Sequence, residues 1–163
     1  MTDELSPIRA TESAETSETV AALEQELETN GVLVGIVMGS ESDMQMMEKA
    51  AAELNRRGIA NEIQVMSAHR NPDTVAEYSK TAQARGLKVL IAGAGLAAAL
   101  QGAVAAHTEL PVIGVPLTSK TSVGGGLDAL LAIAQMPPGV PVACVGVDNP
   151  KNAAVLAARI LGA

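Results

Sequence analysis

NEIQVMSAHRNPDTVAEYSKTAQARGLKVLIAGAG, residues 61–95, decides the fold. It begins with a short apolar run, NEIQVM (61–66), and ends with another, KVLIAG (88–93). Between them Pro72 marks a helix start, and a helix is expected from Pro72 to Arg85, closed by Gly86. Strand, helix and strand in this span form the crossover unit of a parallel sheet.

The same alternation continues on both sides. Upstream, VLVGIVM (32–38) reads as a strand, and residues 42–57 carry Met44, Met47, Ala51 and Leu54 at helical spacing up to Gly58. Downstream come an Ala-rich helix from Leu96 to His107, a strand PVIGVP (111–116) and a helix from Leu127 to Gln135. A strand PVACVGV (141–147) and a helix from Lys151 to Leu161 close the chain. Strands that are apolar throughout are buried on both faces, so helices must cover both sides of the sheet. With right-handed crossovers the expectation is an α/β three-layer αβα sandwich around a five-stranded, doubly wound parallel sheet. The flavodoxin-like order 2-1-3-4-5 is favoured, with ligands beyond the carboxyl ends of the strands, near the switch between the first and the third.

Of the 163 residues none is Phe or Trp, and Tyr78 is the single Tyr. The core must be built from Ala, Val, Leu, Ile and Met, which bury little area per residue and make a homo-oligomer attractive. The net charge of −7 is localised. Residues 1–30 carry eight acids and one base, whereas the remainder is balanced. The chain therefore divides into an acidic N-terminal extension (1–30), largely without fixed structure apart from a short acidic helix over 17–28, and a single α/β domain (31–163). A neutral body without a basic patch or aromatic platform argues against nucleic acid as partner. Glycines and prolines interrupt both long uncharged stretches, 89–106 and 129–147, which argues against membrane spans. Cys144 is the only cysteine, and the N-terminus lacks the basic and apolar regions of a signal peptide, so a cytoplasmic location is expected.

Three loops share one rim of such a sheet. MGSESD (38–43) follows the first strand: Gly39 allows a sharp turn, and Ser40 and Asp43 have capping-box spacing at a helix start that suits a phosphate. SAHRNPD (67–73) follows the second: Ser67 offers a hydroxyl, Arg70 a forked grip on phosphate oxygens, and His69 a ring that exchanges protons near neutral pH. AGAGLAAALQG (92–102) follows the third, and its Gly93, Gly95 and Ala98 match a dinucleotide fingerprint. That fingerprint needs an acid at the end of the next strand, where IGVPLT (113–118) has none, so a Gly-rich turn against some other ligand remains. GVPLTSKT (114–121) lacks the second glycine of a P-loop and holds Pro116 inside it, so it is not one; Lys120 and TSVGGG (121–126) read instead as a mobile flap. His107 reads as a helix-terminal residue and Cys144 as a small core residue.

Taken in order, MGSESD (38–43), SAHRNPD (67–73), AGAG (92–95), PVIGVP (111–116), GLDALLAIAQMP (126–137), GVPVA (139–143) and KNAAVLAARIL (151–161) resemble one family. It is the phosphoribosylaminoimidazole carboxylase family of purine biosynthesis, on its N5-carboxyaminoimidazole ribonucleotide mutase branch. The resemblance implies an imidazole ribonucleotide monophosphate as substrate, carbon dioxide as a trapped intermediate, no metal or organic cofactor, and a homo-octamer with sites shared between subunits. By position it gives Ser40, Ser67 and Arg70 to the phosphate and Asp43 to the ribose hydroxyls. Gly39, Ala68, Gly93, Ala94, Gly95 and Leu96 would shape the pocket around base and carboxylate, and His69 would move the proton. Where the family has a segment like AAHLPG after its AGAG turn, this chain has AAALQG, with Ala99 and Gln101. That difference leaves two substrates open: the N-carboxylated ribonucleotide, or the uncarboxylated one plus carbon dioxide. A catalytically silent nucleotide-binding module is a further alternative. A receiver domain would need an Asp where Ala92–Gly93 stand, and a flavodoxin would offer aromatic side chains.

Overall fold

The computed structural model describes residues 31–163; the acidic segment, with the helix expected over 17–28, lies outside the described residues. Val32–Ala163 form one compact unit. Its strands are β1 (Val34–Met38), β2 (Asn61–Val65), β3 (Val89–Gly95), β4 (Val112–Leu117) and β5 (Ala143–Cys144). Its helices are α1 (Met44–Arg56), α2 (Pro72–Thr81), α3 (Ala99–Ala105), α4 (Leu127–Ala134) and α5 (Pro150–Leu161). The sheet is wholly parallel in the order β2-β1-β3-β4-β5, the flavodoxin-like arrangement expected from the alternation of elements. No helix among the described residues is long and apolar enough to cross a membrane.

Alternate residues of each strand feed two cores. Val34, Ile36 and Met38 of β1, with Val89 and Ile91 of β3, pack against Met47 and Leu54 of α1 and the alanines Ala153, Ala154, Ala157 and Ala158 of α5. Those four alanines are fully buried, and their small side chains let α5 lie close to both the sheet and α1. On the opposite face Val37, Leu90 and Ala92 meet Val75 and Tyr78 of α2, Leu100 and Val104 of α3, and Ala129 and Ile133 of α4. This is the three-layer sandwich.

Several element boundaries differ from expectation for local reasons; α3, expected from Leu96 to His107, runs only from Ala99 to Ala105, because Leu96 and Ala98 take left-handed backbone conformations. Helix α2 loosens after Thr81, and the chain passes to β3 through Gly86 at φ 94°, with Leu87 N–H donating to Ala82 O at 3.1 Å. β5 is regular over two residues only, Ala143 and Cys144, after which single bonds from Val145 and Asp148 continue along β4. β3 runs on to Gly95, so the segment expected to be a Gly-rich turn is strand. Its glycines serve close packing. A Cβ on Gly93 would collide with Met47 Sδ, and one on Gly95 would sit 2.7 Å from the Leu117 carbonyl oxygen.

Gly114 has the same role in β4: a Cβ there would lie 2.5 Å from Ile133 Cγ2 and 2.9 Å from Val142 Cγ1. Gly114→Ala is therefore expected to destabilise the fold by about 1–3 kcal/mol through overpacking. Gly146→Ala, at an exposed glycine whose nearest contact would be 3.8 Å, is expected to leave thermal unfolding near wild type. Denaturant titration of the two variants checks the difference.

Candidate active site

The carboxyl ends of four neighbouring strands open onto a cavity of about 400 Å³. β1 contributes Gly39, Ser40, Ser42 and Asp43, and β2 contributes Ser67, Ala68, His69 and Arg70. β3 contributes Ala94 to Leu100, and β4 contributes Thr118 and Ser119. Every residue proposed from the sequence lines this cavity except Gly93. Gly93 lies within β3, where a Cβ would meet Met47 and Leu117, and its carbonyl accepts from Gly39 N–H of the β1 loop at 3.2 Å.

The β1 loop is a short 3₁₀ turn, Glu41–Asp43, leading into α1. Ser40 Oγ accepts from Ser42 N–H at 3.3 Å and from the Ser42 hydroxyl at 2.9 Å. The capping-box expectation is corrected in one half: the Ser40 hydroxyl takes Ser42 N–H rather than Asp43 N–H. Ser40 caps onto Ser42, and Asp43 makes no side-chain cap to α1. The Asp43 carboxyl is left facing the cavity and is raised from its ordinary value by burial, against the opposing pull of the Ser40 backbone N–H and the Arg70 guanidinium. A half-buried carboxylate without a full set of donors favours a ligand that brings hydroxyl groups.

The β2 loop is fixed by a residue that the sequence did not single out. Asn71 Oδ1 accepts from Ser67 N–H at 2.6 Å, and Asn71 N–H donates to Ser67 O at 3.0 Å. Ser67 Oγ accepts from Arg70 N–H at 3.3 Å. Held in this way, Arg70 reaches across to β1, where its Nη2 donates to Gly39 O at 2.5 Å. An Asn just before a helix-starting Pro is a legible signal for such a loop, because its side chain mimics a backbone turn. His69 is exposed beside Arg70 on the cavity wall.

After Gly95 the chain turns through two residues in the left-handed region, Leu96 at φ 55° and Ala98 at φ 41°. Neither is Gly, and conformations of this kind cost about 1–3 kcal/mol each unless the surroundings enforce them. Ala98 N–H donates to Gly95 O at 3.0 Å, and α3 begins at once with Ala99. Wall and helix start are thereby set as one rigid corner. Gln101, which stands where the related pattern has Pro, points inward instead: its Nε2 donates to Val115 O at 3.2 Å, and its Oε1 has no partner among the described residues.

The segment after β4, expected to be a mobile flap, is a hydrogen-bonded turn. Ser119 N–H donates to Ser122 Oγ at 2.8 Å, and Ser122 N–H donates to Ser119 O at 3.2 Å. Val123 N–H then donates to Asp128 Oδ2 at 3.0 Å. Thr118 and Ser119, at the start of this turn, are cavity residues that escaped the sequence reading, since Ser and Thr after a strand are common in ordinary turns. His107 lies at the other end of the sheet, with Nδ1 2.8 Å from Ala103 O.

Comparison with known proteins matches this geometry to a family. Residues 33–163 fit the family described as AIR carboxylase. Over 130 residues the chain is 57% identical to the N5-carboxyaminoimidazole ribonucleotide mutase of Pyrococcus horikoshii, an alignment spanning 80% of this chain and 72% of that protein. Over 129 residues it is 58% identical to the protein of the same name from Thermotoga maritima, spanning 79% and 74%. Among solved structures, Treponema denticola PurE superposes with a TM-score of 0.71 at 39% identity, over 80% of each chain. The chain belongs to the AIR carboxylase family.

Proposed function

We propose that this chain converts N5-carboxyaminoimidazole ribonucleotide to 4-carboxy-5-aminoimidazole ribonucleotide, a carboxylate shift within one molecule on the route to purines. The observation that carries the reading is one cavity in which His69 stands beside two hydroxyls and a guanidinium suited to phosphate, with an apolar wall of alanines facing them. Similarity to mutases over most of the chain supports the same reaction.

The phosphate lies among Ser40, Ser67 and Arg70, near the start of α1, where backbone N–H groups and the helix dipole favour an anion. The Asp43 carboxylate accepts from the ribose hydroxyls. These contacts direct the imidazole ring toward Ala94, Gly95 and Leu96. His69 donates a proton to the exocyclic nitrogen as its bond to the carboxylate carbon breaks, which releases carbon dioxide and leaves His69 neutral. The C4 carbon of the ring attacks the carbon dioxide and forms the new C–C bond. Neutral His69 removes the C4 proton, the ring regains aromaticity, and His69 is again protonated. Atoms and electrons balance within one substrate. A positioned acid–base group contributes roughly 10²–10⁴ in rate, and confinement of the carbon dioxide against the small side chains of the third loop contributes much of the rest.

The reading extends to a homo-octamer acting in the cytoplasm. Leu127 and Leu131 support an assembly, because they are exposed at 47% and 49% and stand one turn apart on α4. Sedimentation equilibrium is expected to return eight times the chain mass of 16.6 kDa.

A paired assay tests the reaction, with the N-carboxylated ribonucleotide in one arm and the uncarboxylated ribonucleotide plus bicarbonate in the other. The wild-type protein is expected to turn over the first without added bicarbonate; conversion confined to the second arm replaces the mutase by a direct carboxylase. His69→Asn is expected to lower turnover by roughly 10²–10⁴ while product affinity stays within a few-fold of wild type. Arg70→Ala is expected mainly to raise KM, by roughly ten- to a hundredfold for one charge-assisted contact.

A further inference from the structure

Thr118 and Ser119 form the cavity wall farthest along the sheet from the β2 loop, and one residue after the neighbouring strand β5 holds Thr118 there. The Asp148 carboxylate accepts twice from Thr118: from its backbone N–H, at 2.9 Å to Oδ1, and from its hydroxyl through a very short contact to Oδ2. Asp148 N–H donates in turn to Pro116 O at 2.9 Å. Residues 116 and 118 thus both bond to a single residue of the segment after β5.

This contact has a structural setting that a surface ion or cap lacks. β5 pairs with β4 only at Ile113–Ala143 and Gly114–Cys144, and Val145 N–H adds one more bond, to Gly114 O at 3.1 Å. Beyond that point the β5-facing side of β4 would run unpaired to the rim. Asp148 resumes the pairing by taking a left-handed backbone, φ 52°, which turns both its N–H and its carboxylate toward β4. Asp tolerates that region better than most residues. The Gly-rich turn closes over the same point, since a Cβ on Gly126 would lie 2.8 Å from Val147 Cγ1 and 2.9 Å from Thr118 Cγ2. Next in the chain, Asn149 Oδ1 accepts from Asn152 N–H at 3.2 Å and starts α5.

We infer that Asp148 is a positioning residue for the reaction: by gripping Thr118 it sets the β4 wall against the imidazole end of the bound ribonucleotide. The inference rests on the function proposed above. With the phosphate at the β1 and β2 loops, the wall three strand spacings from β2, about 14 Å away, faces the base rather than the phosphate. Losing the grip therefore disturbs the reacting end of the substrate and leaves its anchor intact.

Three variants separate this role from a merely structural one. Asp148→Gly keeps the left-handed turn at no steric cost and deletes both carboxylate contacts. Asp148→Asn keeps an acceptor for Thr118 N–H, and Asp148→Ala loses the contacts and strains the turn. Misplacement of a wall by about an ångström costs up to ~10²-fold in rate, so Asp148→Gly is expected to lower kcat roughly ten- to a hundredfold. Its KM is expected to stay within about threefold of wild type, as for loss of an interaction made in the transition state. Asp148→Asn should recover most of that kcat, and Asp148→Ala should fall at or below Asp148→Gly. A kcat for Asp148→Gly equal to wild type, or a loss confined to KM, overturns the inference. Should the wild-type protein itself fail to turn over either ribonucleotide, the proposed function fails. Amide hydrogen exchange at Thr118 then decides the grip by itself: fast exchange in Asp148→Gly supports it, and unchanged protection overturns it.

Discussion

The site depends on parallel register across β2, β1, β3 and β4. Met38 of β1 lies level with Val65 of β2 and with Gly93 of β3, so β1 and β2 finish at one height and β3 runs two residues further, beside β4. Residues as far apart as Ser40, His69, Gly95 and Ser119 then share one cavity. Close approach sharpens the arrangement. Gly95 stands where a Cβ would meet the Leu117 carbonyl, so β3 and β4 can run side by side to the rim, and any larger residue would push the two walls apart.

Around this rim rigidity is built by short polar contacts rather than by large side chains. Asn71 locks Ser67 from both directions, Arg70 ties the β2 loop to Gly39, and Asp148 ties the far wall to the segment after β5. Two non-glycine residues in left-handed conformations, Leu96 and Ala98, sit between those ties. Strain of that kind persists where the surroundings enforce it, and it is concentrated on the wall expected to confine carbon dioxide. The rest of the molecule, with its alanine-faced α5 and no Phe or Trp, supplies a compact platform. No residue of that platform need touch the substrate.

Much of this was legible in the chain. Strictly alternating apolar runs and helical segments, punctuated by Gly58, Gly86 and Pro72, imply the parallel sheet and its strand order, and the loops after the first three strands hold the cavity residues. What escaped depends on contacts between segments distant in sequence. The role of Gly93 and Gly95 lies in what a Cβ would strike, Met47 and Leu117, rather than in a turn. Thr118 and Ser119 look like ordinary turn residues until β4 is seen to end beside β3. The Asp148–Thr118 contact spans thirty residues and leaves no local pattern. Gln101 stands out in the sequence only as a departure from the family pattern, whereas the fold buries it fully and bonds it to Val115 O.

A crystal structure of the protein with 4-carboxy-5-aminoimidazole ribonucleotide tests the central claim most directly. The account predicts the phosphate among Ser40, Ser67 and Arg70, the ribose hydroxyls on Asp43, and a His69 ring nitrogen within hydrogen-bonding reach of the exocyclic amine or the new carboxylate. A ligand bound with its phosphate at Thr118 and Ser119, or with its ring turned away from His69, would contradict it.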